Sequence, residues 1–120
     1  MSKKTVVLGA SQNPERYSNM AVRKLVAYQH PVVAIGRRPG NINGTEIIKD
    51  HPVLEDVDTV TLYLNPGNQK PYYDYILSLQ PKRIIFNPGA ENEELEKIAA
   101  DKGIASLEAC TLVMLSTGQY

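Results

Sequence analysis

Thr5-Val6-Val7-Leu8-Gly9-Ala10-Ser11-Gln12-Asn13-Pro14-Glu15-Arg16 is a short apolar strand that runs into a loop of small residues ahead of a helical pattern. Such a junction lets backbone N–H groups approach a phosphate closely, and the dipole of the following helix adds to the attraction. A second apolar run, Val32 to Ile35, ends in Gly36-Arg37-Arg38. At that point a strand of a nucleotide-binding sheet reaches the ribose: an acid there favours free hydroxyls, whereas arginine accommodates a phosphate. The pair of signals predicts a nucleotide with an extra phosphate on its ribose.

Around these two strands the chain alternates strand and helix. A helix is expected from Ser18 or Asn19, both good N-caps, to about Gln29, with Val22, Leu25, Val26 and Gln29 on one face. His30-Pro31 ends it, because a residue before proline is pushed out of the α region. Gly36 to Gly44 reads as a turn-rich excursion, followed by a loop over Ile47, Ile48 and Pro52 to Val57 that includes a short helical turn. Further strands are expected at Thr59–Leu64, Arg83–Phe86 and Ile104–Leu107, and further helices at Lys70–Leu79, Asn92–Lys102 and Thr111–Ser116. Strands joined by helix-length crossovers predict an α/β, Rossmann-like doubly wound sheet of five parallel strands, helices on both faces, in the order 3-2-1-4-5. The ligand crevice then lies at the carboxyl ends of strands 1 and 4.

Composition narrows the partners. A chain of 120 residues with 42% hydrophobic content is read as one domain, residues 1 to 120, with its own core. Thirteen basic and thirteen acidic residues give zero net charge, which argues against nucleic acid or an anionic membrane. No apolar run reaches transmembrane length, Met1-Ser2-Lys3-Lys4 does not resemble a signal peptide, and the lone Cys110 fits a cytoplasmic protein. A homo-oligomer is compatible with the chain.

Three strand-to-helix loops compete for an anion. Asn87-Pro88-Gly89-Ala90 leads into Glu91, Glu93, Glu94 and Glu96, which support their own helix start and would repel a phosphate. Asn65-Pro66-Gly67, an identical tripeptide, is followed by neutral and basic residues, and Gly9-Ala10-Ser11 has Glu15 beside Arg16. The first loop is therefore the best cradle, although the full G-x-G-x-x-G pattern is absent.

Taken in order, Val7-Leu8-Gly9-Ala10-Ser11 with Asn13-Pro14 and Arg16, Ile35-Gly36-Arg37-Arg38, Gly44-Thr45-Glu46-Ile47, Asn87-Pro88-Gly89-Ala90-Glu91-Asn92 and Glu108-Ala109-Cys110-Thr111 resemble the small single-domain CoA-binding protein family. That family is related to the N-terminal nucleotide domain of the succinyl-CoA synthetase α subunit. The resemblance implies that Gly9-Ala10-Ser11 and Arg16 take the diphosphate and that Arg37 or Arg38 sits near the phosphorylated ribose. It also implies that Asn65-Pro66 borders the adenine or pantetheine path. Asn13, Tyr17, Gly36, Asn87 and Gly89 complete the candidate site, Tyr17 as a packing surface for adenine or pantetheine. Many relatives carry Asn-Pro after the second strand, whereas this chain has Gly36-Arg37-Arg38-Pro39.

Catalytic groups are scarce. His30 and His51 lack metal-ligand spacing and are read as structural, and neither a Ser-His-Asp order nor a paired-carboxylate motif stands out. Cys110, just after the last strand, is a candidate thiol for a mixed disulfide with the coenzyme, weighed against a small buried hydrophobe. The expectation is a binder of coenzyme A or acyl-CoA without catalysis of its own. Its rivals are an NADP-binding oxidoreductase-like domain and a ligand-free interaction module.

Overall fold

A computed structural model of the chain describes residues 2–120. Its sheet is built on β1 (Thr5–Leu8), β2 (Val32–Ile35), β5 (Thr59–Leu62), β6 (Arg83–Phe86) and β7 (Ala105–Glu108), all parallel to their neighbours. Every residue of β1 and β5 is buried, as expected for central strands covered on both faces. Successive side chains alternate between those faces. Val60, Leu62 and Leu64 pack on one side with Ile84, Phe86 and Leu95, while Tyr63 joins Val7, Val22 and Leu25 on the other.

The five-strand expectation is corrected to seven strands. Gly40–Ile42 (β3) and Thr45–Ile48 (β4) form an antiparallel hairpin inside the stretch expected to be loop. Its turn, Asn43-Gly44, has φ values of 48° and 97°, the double positive φ that a two-residue type I′ turn demands and Asn-Gly supplies readily. β4 then pairs parallel with β2, Ala34 opposite Ile47 and Ile35 opposite Ile48. The order is therefore β3-β4-β2-β1-β5-β6-β7, so the five expected strands lie 2-1-3-4-5 rather than 3-2-1-4-5. The hairpin occupies the edge of β2 that the third crossover strand was expected to take. That strand instead returns to the free side of β1, which moves the reversal point to the gap between β1 and β5.

The helices flank this sheet on both sides. Tyr17–Ala27 (α1) and Thr111–Ser116 (α5) cover one face through Val22, Leu25, Met114 and Leu115. Tyr73–Ser78 (α3) and Glu93–Asp101 (α4) cover the other through Ile76, Leu95 and Ala99. The residues α1 buries are Ser18, Asn19, Ala21, Val22 and Leu25, leaving Val26 exposed. α1 also stops before its expected end: Gln29 takes a left-handed φ of 66° and the His30 N–H donates to the Leu25 carbonyl at 3.0 Å. The expected Lys70–Leu79 helix is instead broken. Asn65 caps a single turn, Pro66–Gln69 (α2), a 3-10 turn covers Lys70–Tyr72, and α3 follows, because Pro71 has no N–H to continue a ladder. The expected helical turn within Pro52–Val57 is absent.

His30 and His51 both have structural partners. His30 Nδ1 accepts from the Lys3 N–H at 2.9 Å, and the His51 ring stacks on Tyr75 at 4.8 Å. Among the described residues no helix is long and apolar enough to cross a membrane, and no three His, Cys, Asp or Glu side chains gather to hold a metal.

Candidate functional site

At the carboxyl ends of the central strands lies an open crevice of about 950 Å³. Its walls come from the β1–α1 loop (Gly9 to Asn13, with Arg16, Tyr17 and Ser18), the β2–β3 bridge (Arg37, Arg38 and Pro39), the end of β5 (Tyr63, Leu64 and Asn65) and the loop before α4 (Pro88, Gly89 and Ala90). Among the described residues, three arginines and no carboxylate line it.

Backbone packing explains the small residues at its base. Gly9 has a φ of 93°, and a Cβ there would lie 2.9 Å from the Tyr63 carbonyl oxygen, so only glycine lets β1 turn over the end of β5. A Cβ on buried Gly36 would run into the Ala10 carbonyl oxygen. The N–H groups of Gly9 and Ala10 both donate to the Ile35 carbonyl at 3.0 Å, which fixes the loop against the end of β2. These two N–H groups are therefore not free for a ligand.

Those that follow are. Among the described residues the N–H groups of Ser11, Gln12, Tyr17 and Ser18, all lining the crevice, have no protein acceptor. The expected N-caps Ser18 and Asn19 lie inside α1; the residue at its cap is Arg16, whose side chain makes no capping bond. Asn19 has other work: its amide donates to the Ser11 carbonyl at 2.9 Å and accepts from Arg23 Nε at 2.8 Å, tying loop to helix. Asn13 shapes the turn by accepting from the Glu15 N–H at 3.0 Å. The result is a rigidly held loop with an uncapped helix start beside Arg16. Such a surface attracts an anion.

The loop before α4 has the opposite character. Glu91 accepts from the Gly89 N–H at 2.9 Å, Asn92 caps α4 by accepting from Leu95, and Glu93, Glu94 and Glu96 fill the first turn. Burial, reinforced by the Glu108 carboxyl and then by Glu93 and Glu91, pushes the Glu96 carboxyl above the ordinary glutamate range.

Of the residues singled out from the sequence, Gly9, Ala10, Ser11, Asn13, Arg16, Tyr17, Arg37, Arg38, Asn65 and Gly89 border the crevice. Gly36, Pro66 and Asn87 do not. Gly36 supports the loop from below, and Pro66 is exposed at the first turn of α2. Asn87 is 2% exposed and fully committed: it donates to Thr61 Oγ1 (2.7 Å) and the Leu62 carbonyl (2.9 Å) and accepts from the Thr111 N–H (2.9 Å). Cys110 is half-buried at the cap of α5 and lies outside the crevice lining.

Sequence reading missed Gln12, Ser18, Pro39, Tyr63, Leu64, Pro88 and Ala90 in the wall, and Gln69 behind it. Gln69 is fully buried; its amide donates to the Leu64 carbonyl at 2.8 Å and the Ala90 carbonyl at 2.7 Å, joining two walls of the crevice. The Asn43-Gly44 dipeptide was the available signal for the hairpin that brings Pro39 into place. Nothing local marks Gln69, because its partners are remote in sequence. Burial raises the Tyr63 phenol well above the usual tyrosine range, opposed by the nearby Thr111 and Thr61 hydroxyls; neither hydroxyl meets hydrogen-bond geometry with the buried phenol, which has no partner among the described residues.

Comparison with solved structures places the same architecture elsewhere. A crystal structure of an uncharacterized protein is 52% identical, with a TM-score of 0.97 over 100% of this chain and 99% of that one. A Thermus thermophilus protein is 22% identical (TM-score 0.85, covering 99% of this chain and 91% of the other). The dinucleotide-forming acetyl-coenzyme A synthetase 1 of Candidatus Korarchaeum cryptofilum, solved with phosphate and ADP, is 21% identical with a TM-score of 0.71. It aligns with 89% of this chain but over only 25% of its own length, so the likeness is one of fold. No curated protein matches the chain. A CoA binding domain model matches residues 3–116, nearly the full length, and the chain belongs to that CoA-binding family.

Proposed function

We propose that the crevice between β1 and β5 binds coenzyme A or an acyl-CoA, with the diphosphate at the β1–α1 loop and the ribose 3′-phosphate beside Arg37 and Arg38. The observation that carries this reading is the set of unpaired N–H groups at Ser11, Gln12, Tyr17 and Ser18, in a wall with three arginines and no carboxylate. Unpaired donors lining one space complement a group with many acceptor oxygens, and the guanidinium fork suits a phosphate. Family membership favours coenzyme A among the nucleotides that carry a ribose phosphate. A protein of similar fold is an acetyl-coenzyme A synthetase, which is in keeping with a coenzyme A ligand. Asn65 and the 70% exposed Tyr17 border the adenine or pantetheine path. In this reading the protein holds its ligand and contributes no catalytic group.

Calorimetric titration with coenzyme A, dephospho-coenzyme A, NADP and NAD tests the assignment. Coenzyme A is expected to bind most tightly, with a loss of about tenfold or more when the 3′-phosphate is removed, the scale of one charge-assisted contact. Tighter binding of NADP than of coenzyme A would turn the reading toward an oxidoreductase-like domain. Binding of none of the four would leave an interaction module.

A further inference from the structure

Only Gly36, Arg37, Arg38 and Pro39 separate the end of β2 from the start of β3, so the placement of both arginines depends on where this short bridge is anchored. At one end Gly36 is buried against the Ala10 carbonyl, and its N–H donates to Ile48 at 3.0 Å. At the other end the anchor is a side chain of the phosphate loop. Gln12 Oε1 accepts from the Asn41 N–H at 3.0 Å. Asn41 lies on β3, the edge strand, which has no further strand to satisfy its outward groups. Gly40, next to it, has no positive φ that would call for glycine, yet a Cβ there would lie 2.5 Å from the same Gln12 oxygen. Glycine at this position makes room for the Gln12 side chain.

We propose that Gln12 is a positioning residue that latches the β3–β4 hairpin to the phosphate loop and thereby sets where Arg37 and Arg38 stand. This rests on the coenzyme A reading, in which those arginines meet the ribose 3′-phosphate. Loop and bridge then work as one unit: the β1–α1 loop that offers N–H groups to the diphosphate also fixes the distance to the ribose 3′-phosphate. The latch lies at the solvent-exposed mouth of the crevice, so its loss leaves the fold intact and changes selectivity.

The test is a double-mutant cycle read as the ratio of coenzyme A to dephospho-coenzyme A affinity. Gln12→Ala is expected to weaken coenzyme A about three- to fivefold more than it weakens dephospho-coenzyme A, the worth of one exposed hydrogen bond. Gly40→Ala, which displaces the Gln12 amide, is expected to produce the same loss alone and no further loss in the Gln12→Ala background. Equal weakening of both ligands by Gln12→Ala would overturn the proposal, as would a Gly40→Ala loss that persists without Gln12. If the unaltered protein binds neither ligand, the coenzyme A reading fails separately. The latch is then judged by hydrogen exchange at the Asn41 amide of the free protein: faster exchange in Gln12→Ala supports it, and unchanged exchange overturns it.

Discussion

Two strand-to-helix loops border the same crevice and use their backbone N–H groups in opposite ways. In the loop after β1, the first two N–H groups are spent on Ile35, and those of Ser11, Gln12, Tyr17 and Ser18 are left without a protein acceptor beside Arg16. In the loop after β6, Glu91 takes the Gly89 N–H, Asn92 caps α4, and three more glutamates crowd the first turn. A helix start can be capped by its own side chains or left open, and these two loops do one of each. The contrast shows that a strand–loop–helix junction is not by itself a phosphate site; what matters is whether its donors are already paired.

The loop after β6 is anchored for stability, and the largest expected effect comes from breaking that anchor. Asn87→Ala removes a buried side chain with three hydrogen bonds and orphans the Thr111 N–H, a cost of about 2–4 kcal/mol in urea unfolding. The same change in Asn65, an exposed cap of the short α2, is expected to cost well under half as much. Equal costs would contradict the division of labour between the two Asn-Pro-Gly segments.

On the open side, the effect should appear in binding. Arg37→Ala combined with Arg38→Ala is expected to weaken coenzyme A about thirtyfold, near 2 kcal/mol, and dephospho-coenzyme A by no more than about twofold, with no change in thermal stability. A similar loss for both ligands would place the arginines elsewhere on the nucleotide.

The smallest effect belongs to the acidic helix. Glu96 is held above the ordinary glutamate value of 4.5, first by burial and then by Glu108, Glu93 and Glu91. A carboxyl with a raised folded-state pKa binds its proton more tightly in the folded chain, so its charge costs stability as pH rises through that value. Glu96→Gln imitates the protonated form. Its Tm is expected to exceed that of the unaltered protein slightly at pH 7, and the gap to close as the pH falls below about 4.5. A gap independent of pH would show that the gain comes from packing instead.

Much of this architecture is legible in the sequence. The apolar runs at β1 and β2 identify parallel strands, the alternation in β5 correctly divides Val60 and Leu62 from Tyr63, and the glutamates after Asn92 mark a helix start that is capped by its own side chains. The order of strands was not legible, because it depends on the hairpin at Asn43-Gly44, whose β-branched flanks sit in a stretch otherwise rich in turn residues. Asn87 and Asn65 illustrate a deeper limit. Their tripeptides are identical, so local sequence cannot tell the buried hub from the exposed cap; Thr61 and Thr111, distant along the chain, decide it. The start of α1 was misplaced for a related reason, since Asn19 serves the Ser11 carbonyl rather than a helix cap.

In the proposed reading the loop after β1 holds the ligand's phosphates and the loop after β6 does not. Amide chemical shifts recorded while coenzyme A is titrated into the isotope-labelled protein test this most directly. The largest changes are expected at Ser11, Gln12, Tyr17, Ser18 and the Arg37-Arg38 bridge, with Gly89 little moved. Shifts centred on Gly89 to Glu91, with Ser11 to Ser18 unchanged, would contradict it.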